Sequence, residues 1–503
     1  MIINRKEYRE KVLGCWMGKN IGGTLGAPFE WYRQINSVNF YTQDLCGEPL
    51  PNDDLDIQLL WLIALEEKGL GLNAKVLGDY WLMYVTPFWN EYGNAKINMS
   101  MGLMPPLSGN YKNNFKNSCG AFIRSEIWAC IAPGLPHISA KYALEDAMID
   151  HGDGEGTYAE VFCAVIESAA FIEKDVNKLI QIGLSYIPEN CAISSVVNTV
   201  IDLYKSKKTW KETRDILLEK FRGKAQCICD DDKRKGFEDG DLGWDAPSNI
   251  GIIILGLLYG QGDFAKSICT AVNCGEDTDC TAATVGAILG IINGIGGIEQ
   301  KWIDPIGHKI KTACLNIGNL GSYGSQLPAT VEELTDRTEK IAQRLIIDKK
   351  IPLKISENEA TLFDFAATKL FSTEDYRTGI YENLNGPTFS FDFFDIVVDY
   401  GDSPTVTNGT PKKICLKIKN NHVIQCSLNI RWYLPDSWTV SPDEKANMFV
   451  WQPLGKYQNI EFELYCDKVP YIVNRFVIEV TVSNRHTTML VPVVLVNKNV
   501  PSY

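Results

Sequence analysis

The sequence has no run of about 18 uncharged apolar residues, the length a membrane-spanning helix needs, so no membrane span is expected. Ile250–Gly260 is too short, and Ala282–Gly297, glycine-rich with charged neighbours, reads as a buried helix. A basic excess is also missing. Against 62 Asp plus Glu stand 49 Lys plus Arg, a formal net charge of −13, which excludes electrostatic tracking of nucleic acid. Met1–Glu10 is polar and charged and runs straight into a patterned helix, so no secretory leader is read there and a cytoplasmic protein is expected. Histidine is scarce, five in all, and His137, His308, His422 and His486 have no metal-ligand spacing. They read as surface or internally satisfied. The 15 cysteines likewise lack paired metal spacings. Cys227 and Cys229 form the only close pair, with no second pair or histidine cluster beside it, so the expectation is reduced, mostly buried thiols.

What is present is an ordinary globular balance, 45% hydrophobic and 22% charged, which excludes wholesale disorder. A chain of 503 residues exceeds what one core usually serves, so more than one domain is expected. The pattern changes near residue 350. Before it, Leu59–Leu65, Ala159–Phe171 and Ala329–Ile346 repeat apolar residues at three and four, a helical period. After it the period falls to two. Ile424, Cys426, Leu428, Ile430 and Trp432 alternate with polar residues, and Ile460–Cys466 and Phe476–Val482 do the same between turn residues. The expectation is a multidomain protein: an all-α domain over 1–350, a connector over 351–384, and an all-β immunoglobulin-like sandwich over 385–503. From Ile380 onward 11 Lys plus Arg face 12 Asp plus Glu, a net of −1, which leaves −12 on the helical part. Trp432, Trp438 and Trp451 read as core packing, or as an aromatic platform for sugar.

Three constellations carry chemistry. Asn52-Asp53-Asp54-Leu55-Asp56 crowds three carboxylates ahead of a Leu-rich helix. It reads either as an N-cap set meeting the helix dipole or as divalent-metal ligands. Asn273-Cys274-Gly275-Glu276-Asp277-Thr278-Asp279-Cys280 again places acids before a helix, here one of small residues that suits an interior position. Buried acids at such a start are costly unless paired or bound to a cation. Two such starts in one domain favour a shared oxygen-ligand site for Mg²⁺ or a similar ion. In Gly14–Glu30 glycines recur at 14, 18, 22 and 26, lining one helix face and permitting close packing. Glu30, after Pro28, reads as a surface acid or a catalytic carboxylate. The acidic stretch Asp230–Asp241 reads as a solvated loop.

Together Gly14–Glu30, Asn52–Asp54, Asn273–Gly290, Gly120-Ala121-Phe122-Ile123-Arg124 and Ala132-Pro133-Gly134 resemble the ADP-ribosylglycohydrolase family, which includes the glycohydrolase that reactivates dinitrogenase reductase. The resemblance spans about residues 8–345, and Gly243–Asn249 is similar to a version in a bacterial subgroup. It implies an all-α fold with two Mg²⁺ ions (or Mn²⁺), held by Asn52, Asp53 and Asp54 from one side and Asp277 and Asp279 from the other. It implies Glu30 and Asp54 as catalytic carboxylates, and Gly120, Arg124, His151 and Asn249 toward the substrate. Three positions depart from the family pattern: Asn52 for the usual Thr, Gly23 where Asp is frequent, and Cys280 for a ligating Thr, a thiol being a poor partner for Mg²⁺.

The leading expectation is a Mg-dependent glycohydrolase acting at a ribose-like sugar, removing ADP-ribose from a small molecule or a modified protein. Its rivals are a hydrolase of nucleosides or other furanosides with the same metal site, and a non-catalytic sugar or nucleotide binder. The acidity of the helical part repels an anionic ligand. Bound metals and the amides near Gly120 must offset it locally.

Overall fold

The computed structural model describes residues 1–30, 33–223, 243–315, 326–364, 368–451 and 456–498. Cys227, Cys229 and the Asp230–Asp241 stretch lie outside them. The chain divides into two compact units, Met1–Asn94 with Lys112–Ile380, and Ala95–Tyr111 with Tyr381–Tyr503.

The first unit is helical, and four of its helices build the site: α1 (Arg5–Gly26), α2 (Asp53–Lys68), α3 (Ala246–Gly260) and α4 (Thr278–Asn293). Asn4 starts α1, its side chain accepting from the backbone N–H of Lys6 at 3.0 Å and Glu7 at 3.3 Å. The helix is then buried almost continuously from Tyr8 to Gly26, and α4 is buried from Thr278 to Ile292. Two helices buried all round can meet this closely only where side chains vanish. A Cβ on Gly14 would lie 2.4 Å from Gly290 O, on Gly18 2.1 Å from Gly286 O, on Gly22 2.2 Å from Ala282 O, and on Gly26 2.3 Å from Thr278 O. The glycine face read from the sequence is therefore an antiparallel backbone-to-backbone seam.

The segment read as a connector packs with the helical unit as far as Ile380. Lys354–Ser356 pairs in parallel with Ile2–Asn4, and Ile2 and Leu362 exchange backbone hydrogen bonds of 2.7 and 2.8 Å.

The second unit holds two five-stranded sheets. One runs Thr388–Ser390, Phe394–Asp399, Lys412–Asn420, Gln458–Tyr465, Thr439–Ser441 in spatial order. The other runs Thr405–Val406, Thr488–Asn497, Val473–Val482, Cys426–Tyr433, Lys445–Val450. Ile396, Leu416 and Phe462 of the first share one core with Ile430, Trp432 and Ile478 of the second, which is a sandwich. Leu103, Leu107 and Tyr111 join that core from far upstream in the sequence. The period of two holds from Cys426; Ile424 precedes the strand and is exposed. Trp432 and Trp438 are core residues, whereas Trp451 is exposed.

Replacing Gly18 by Ala should force α1 and α4 apart and cost about 1–3 kcal/mol, the usual penalty of overpacking. Gly71→Ala, with nothing within 4 Å of the added carbon, is the control and should stay within about 0.5 kcal/mol of wild type. Urea unfolding midpoints measure both.

Candidate metal centre

The seam ends where the acids begin. Thr278 Oγ1 donates to Gly26 O at 2.9 Å, joining the end of α1 to the start of α4. One short turn, Ala27–Phe29, then carries Glu30. On the other chain segment Gly275 and Glu276 both take left-handed φ values, 76° and 68°. That conformation is costly for a residue with a Cβ, and Arg222 holds the Glu276 carboxylate in place, with Nε at 3.1 Å. The sharp turn aims Asp277 inward, and Asn249 Oδ1 accepts its backbone N–H at 3.3 Å. Asp277 occupies the N-cap position of α4 without capping it, so its carboxylate is spared for the cleft. At α2 the cap is Asn52, whose Oδ1 accepts from Asp54 N–H at 2.8 Å. Capping and clustering thus coexist there.

Glu30, Asp53, Gly120, Asp277, Asp279 and Cys280 line one cleft of about 490 Å³. One oxygen each from Glu30, Asp277 and Asp279 lies within 4.8 Å of the others, and the same holds for ligand atoms of Asp54, Asp279 and Cys280. Asp54 Oδ2, Asp277 Oδ1 and Asp279 Oδ1 are buried without a hydrogen bond among the described residues. Buried carboxylate oxygens left without donors fit a hard divalent cation. Burial raises the carboxyls of Asp54 and Asp279 well above the usual range, and their acidic neighbours add to it. Asp277 is pushed up to about 7 by burial and then by the charge of Glu30. One cation of the chain already serves the cluster. Lys19, fully buried on α1, has Nζ 2.8 Å from Glu126 Oε1 and 3.8 Å from Asp54 Oδ2.

The two positions read from the resemblance as departures, Gly23 and Asn52, meet in the fold. A Cβ at Gly23 would sit 1.6 Å from Asn52 Nδ2. Asn52 fills the space that a side chain at position 23 would need.

Of the residues expected toward the substrate, Gly120 lines the cleft. A Cβ there would lie 2.1 Å from Glu91 Oε1. Arg124, His151 and Asn249 are not among the cleft-lining residues; they are buried behind it. Arg124 spends its donors on Asp146 at 2.9 Å, on Asp150 at 2.7 and 3.0 Å, and on the Gly120 carbonyl at 2.6 Å. Its geometry holds Gly120 in place. His151 Nε2 meets Ser118 Oγ at 3.1 Å, with Nδ1 2.9 Å from Asp150. Asn249 donates to the carbonyls of Gly243 and Asp245 while steadying Asp277. Sequence reasoning missed Lys19, Cys119 and Glu91. The signal for Lys19 was present, a lone charge in an otherwise uncharged stretch of the glycine helix.

Two outcomes follow. Asn52→Ala should cost about 1 kcal/mol by loss of the cap, Gly23→Ala about 1–3 kcal/mol by displacing Asn52, and the double variant less than their sum in a denaturation cycle. Without a cation, stability should fall as pH rises from about 4, where an ordinary carboxyl ionises, to about 7, where Asp277 does. Mg²⁺ should restore it above pH 7, and calorimetric affinity for Mg²⁺ should weaken as pH falls below 7 and vanish in Asp279→Ala.

The family profile of ADP-ribosylglycohydrolase matches residues 4–344. Among solved structures, an "ADP-ribosylglycohydrolase-related protein complex" is similar at 17% identity and a TM-score of 0.43, covering 67% of this chain and 99% of that one. A FixG-related protein from Vibrio parahaemolyticus is similar at 13% identity and a TM-score of 0.17, covering 21% of this chain and 94% of that one. No curated protein matches the chain. No helix among the described residues is long and apolar enough to cross a membrane. The profile covers about two thirds of the sequence and includes every acid of the cleft, and the chain belongs to the ADP-ribosylglycohydrolase family.

Proposed function

We propose that the cleft hydrolyses a glycosidic bond at a ribose-like sugar, with ADP-ribosyl groups as the substrate class. The observation that carries this is the convergence of Glu30, Asp277 and Asp279 oxygens within 4.8 Å in one cleft. Asn52, Asp53 and Asp54 from the start of α2, with Asp277 and Asp279, are the residues that would hold Mg²⁺ or Mn²⁺. When bound, such ions supply Lewis-acid chemistry and a grip on vicinal hydroxyls.

The chain's own groups do the rest. Glu30, half-buried and lining the cleft, accepts a proton from the attacking water and returns it to the departing nitrogen or oxygen. Water adds to the anomeric carbon, the glycosidic bond breaks, and the leaving group departs protonated. With the cations bound, Asp54 carries the negative charge that burial alone disfavours, and that charge favours the cationic character of the transition state. Gly120, held by Arg124, brings bare backbone to the cleft where a phosphate can approach. Phe88 and Trp89, lining the same cleft and 66% and 52% exposed, offer flat faces to a planar base.

A second reading keeps the chemistry and changes the substrate to a nucleoside or another furanoside. The joint departure at Gly23 and Asn52, beside the acids that open α2, favours it. Incubation with ADP-ribosyl-arginine and with a nucleoside and furanoside panel separates the two. Glu30→Gln should lower turnover on the true substrate by about 10²–10⁴-fold. Turnover unchanged in Glu30→Gln would overturn the assignment, and release of free base but not ADP-ribose would favour the second reading.

A further inference from the structure

The cleft contains two thiols that the glycohydrolase reading does not use. Cys119, immediately before Gly120, directs Sγ at Asp277 Oδ2 across 2.7 Å. Cys280, one residue past Asp279, lies with Sγ 3.3 Å from Asp54 Oδ1. The two sulfurs and a carboxylate oxygen of Asp277 all fall within 4.8 Å of one another. Cys119, Cys280 and Asp277 are 5%, 6% and 7% exposed, and all three line the cleft. The second Asp277 oxygen, Oδ1, is buried without a hydrogen bond among the described residues.

We propose that Cys119, Cys280 and Asp277 form a mixed sulfur–oxygen site for a thiophilic divalent cation of the Zn²⁺ class, beside the all-oxygen position of Glu30, Asp277 and Asp279. Thiolates select soft or borderline metals, whereas Mg²⁺ requires oxygen on every side. Around a tetrahedral ion with Zn–S bonds near 2.3 Å, two sulfurs stand about 3.8 Å apart, a spacing the observed cluster accommodates. The three donors come from two segments: Cys119 from the loop before Gly120, and Asp277 and Cys280 from the N-cap and first turn of α4. Three protein ligands facing a cleft leave a fourth position for water or substrate, the pattern of catalytic rather than structural zinc. On binding, each thiol releases its proton to solvent. Two thiolates and one carboxylate then face the dication. Asp277, with one oxygen toward Cys119 and the other unpartnered, belongs to both positions. The inference rests on the proposed function in sharing Asp277 as a ligand. It names a different metal for one of the two positions.

The test uses the full chain, stripped of metal and kept reduced, titrated with Co²⁺ as a coloured stand-in for Zn²⁺. The expected result is a sulfur-to-cobalt charge-transfer band in the near ultraviolet. It should weaken in Cys119→Ser and in Cys280→Ser and be lost in the double variant. Zn²⁺ should displace the band and excess Mg²⁺ should not. Zn²⁺ affinity, measured against a chromophoric chelator, should fall by more than about 100-fold in the double variant, beyond what losing a ligand's supporting partner costs, because two direct ligands are removed. Serine differs from cysteine by one atom, and an unchanged far-ultraviolet circular dichroism spectrum confirms that each variant folds. Co²⁺ bound with no such band, or a band that survives both serines, overturns the proposal and leaves the glycohydrolase reading standing. A band in a protein that hydrolyses none of the substrate panel supports the proposal and counts against that reading.

Discussion

Everything in the helical unit hangs on the approach of α1 to α4. Four positions on α1 have no room for a single carbon, because the opposing surface is peptide backbone. Such contact brings many atoms to van der Waals distance without side chains to order, so little rotamer entropy is lost. It also fixes the distance between the two helix ends. Glu30 leaves one helix and Asp277–Asp279 opens the other, and their carboxylates meet because the seam carries them there.

That meeting is unfavourable in itself. Several carboxylates are buried within a few ångströms, and among the described residues the buried Lys19 ammonium lies within 4 Å of one of them, Asp54. Burial works against the charge of Lys19, yet Glu126 and Asp54 together keep its affinity for the proton raised. Asp279 and Asp277 have no comparable counter-ion among the described residues. The fold therefore stores electrostatic tension at one spot and supports that spot with rigid parts: Arg222 on Glu276, Asn249 on Asp277, Arg124 on Gly120. A loop that had to fold around its ion would need none of these.

Much of this was legible. The change of period near residue 350 gave the two kinds of secondary structure, because a half-buried strand and a core-facing helix repeat differently. The spacing of Gly14, Gly18, Gly22 and Gly26 foretold a close face, and the acidic helix starts foretold a cluster. Other features were not legible, because they depend on what lies opposite. Nothing local to Cys119 says that its thiol meets Asp277, 158 residues away. Arg124 read as a substrate residue because it follows Gly120, but only the fold shows Asp146 and Asp150 consuming its donors. Ala95–Tyr111 sits amid helical sequence, yet Leu103 and Leu107 belong to the strand core, and such a detour leaves no trace in periodicity. The Gly23 and Asn52 substitutions read as two separate oddities until space joined them.

The seam has a further property. Its partners recur at every fourth residue on both helices, so a slide of one full turn would set Gly14 on Gly286, Gly18 on Ala282 and Gly22 on Thr278, again small against small. The repeat specifies that the helices touch but is degenerate as to which rung meets which. The choice falls to polar pins at the two extremities: Thr278 on the Gly26 carbonyl at one end, and at the other the buried Lys11, whose ammonium reaches Ile291 O at 2.9 Å and Ile292 O at 3.4 Å. A pair of hydrogen-bonded locks thus resolves an ambiguity that close packing alone leaves open, and the alignment of the acids is inherited from them.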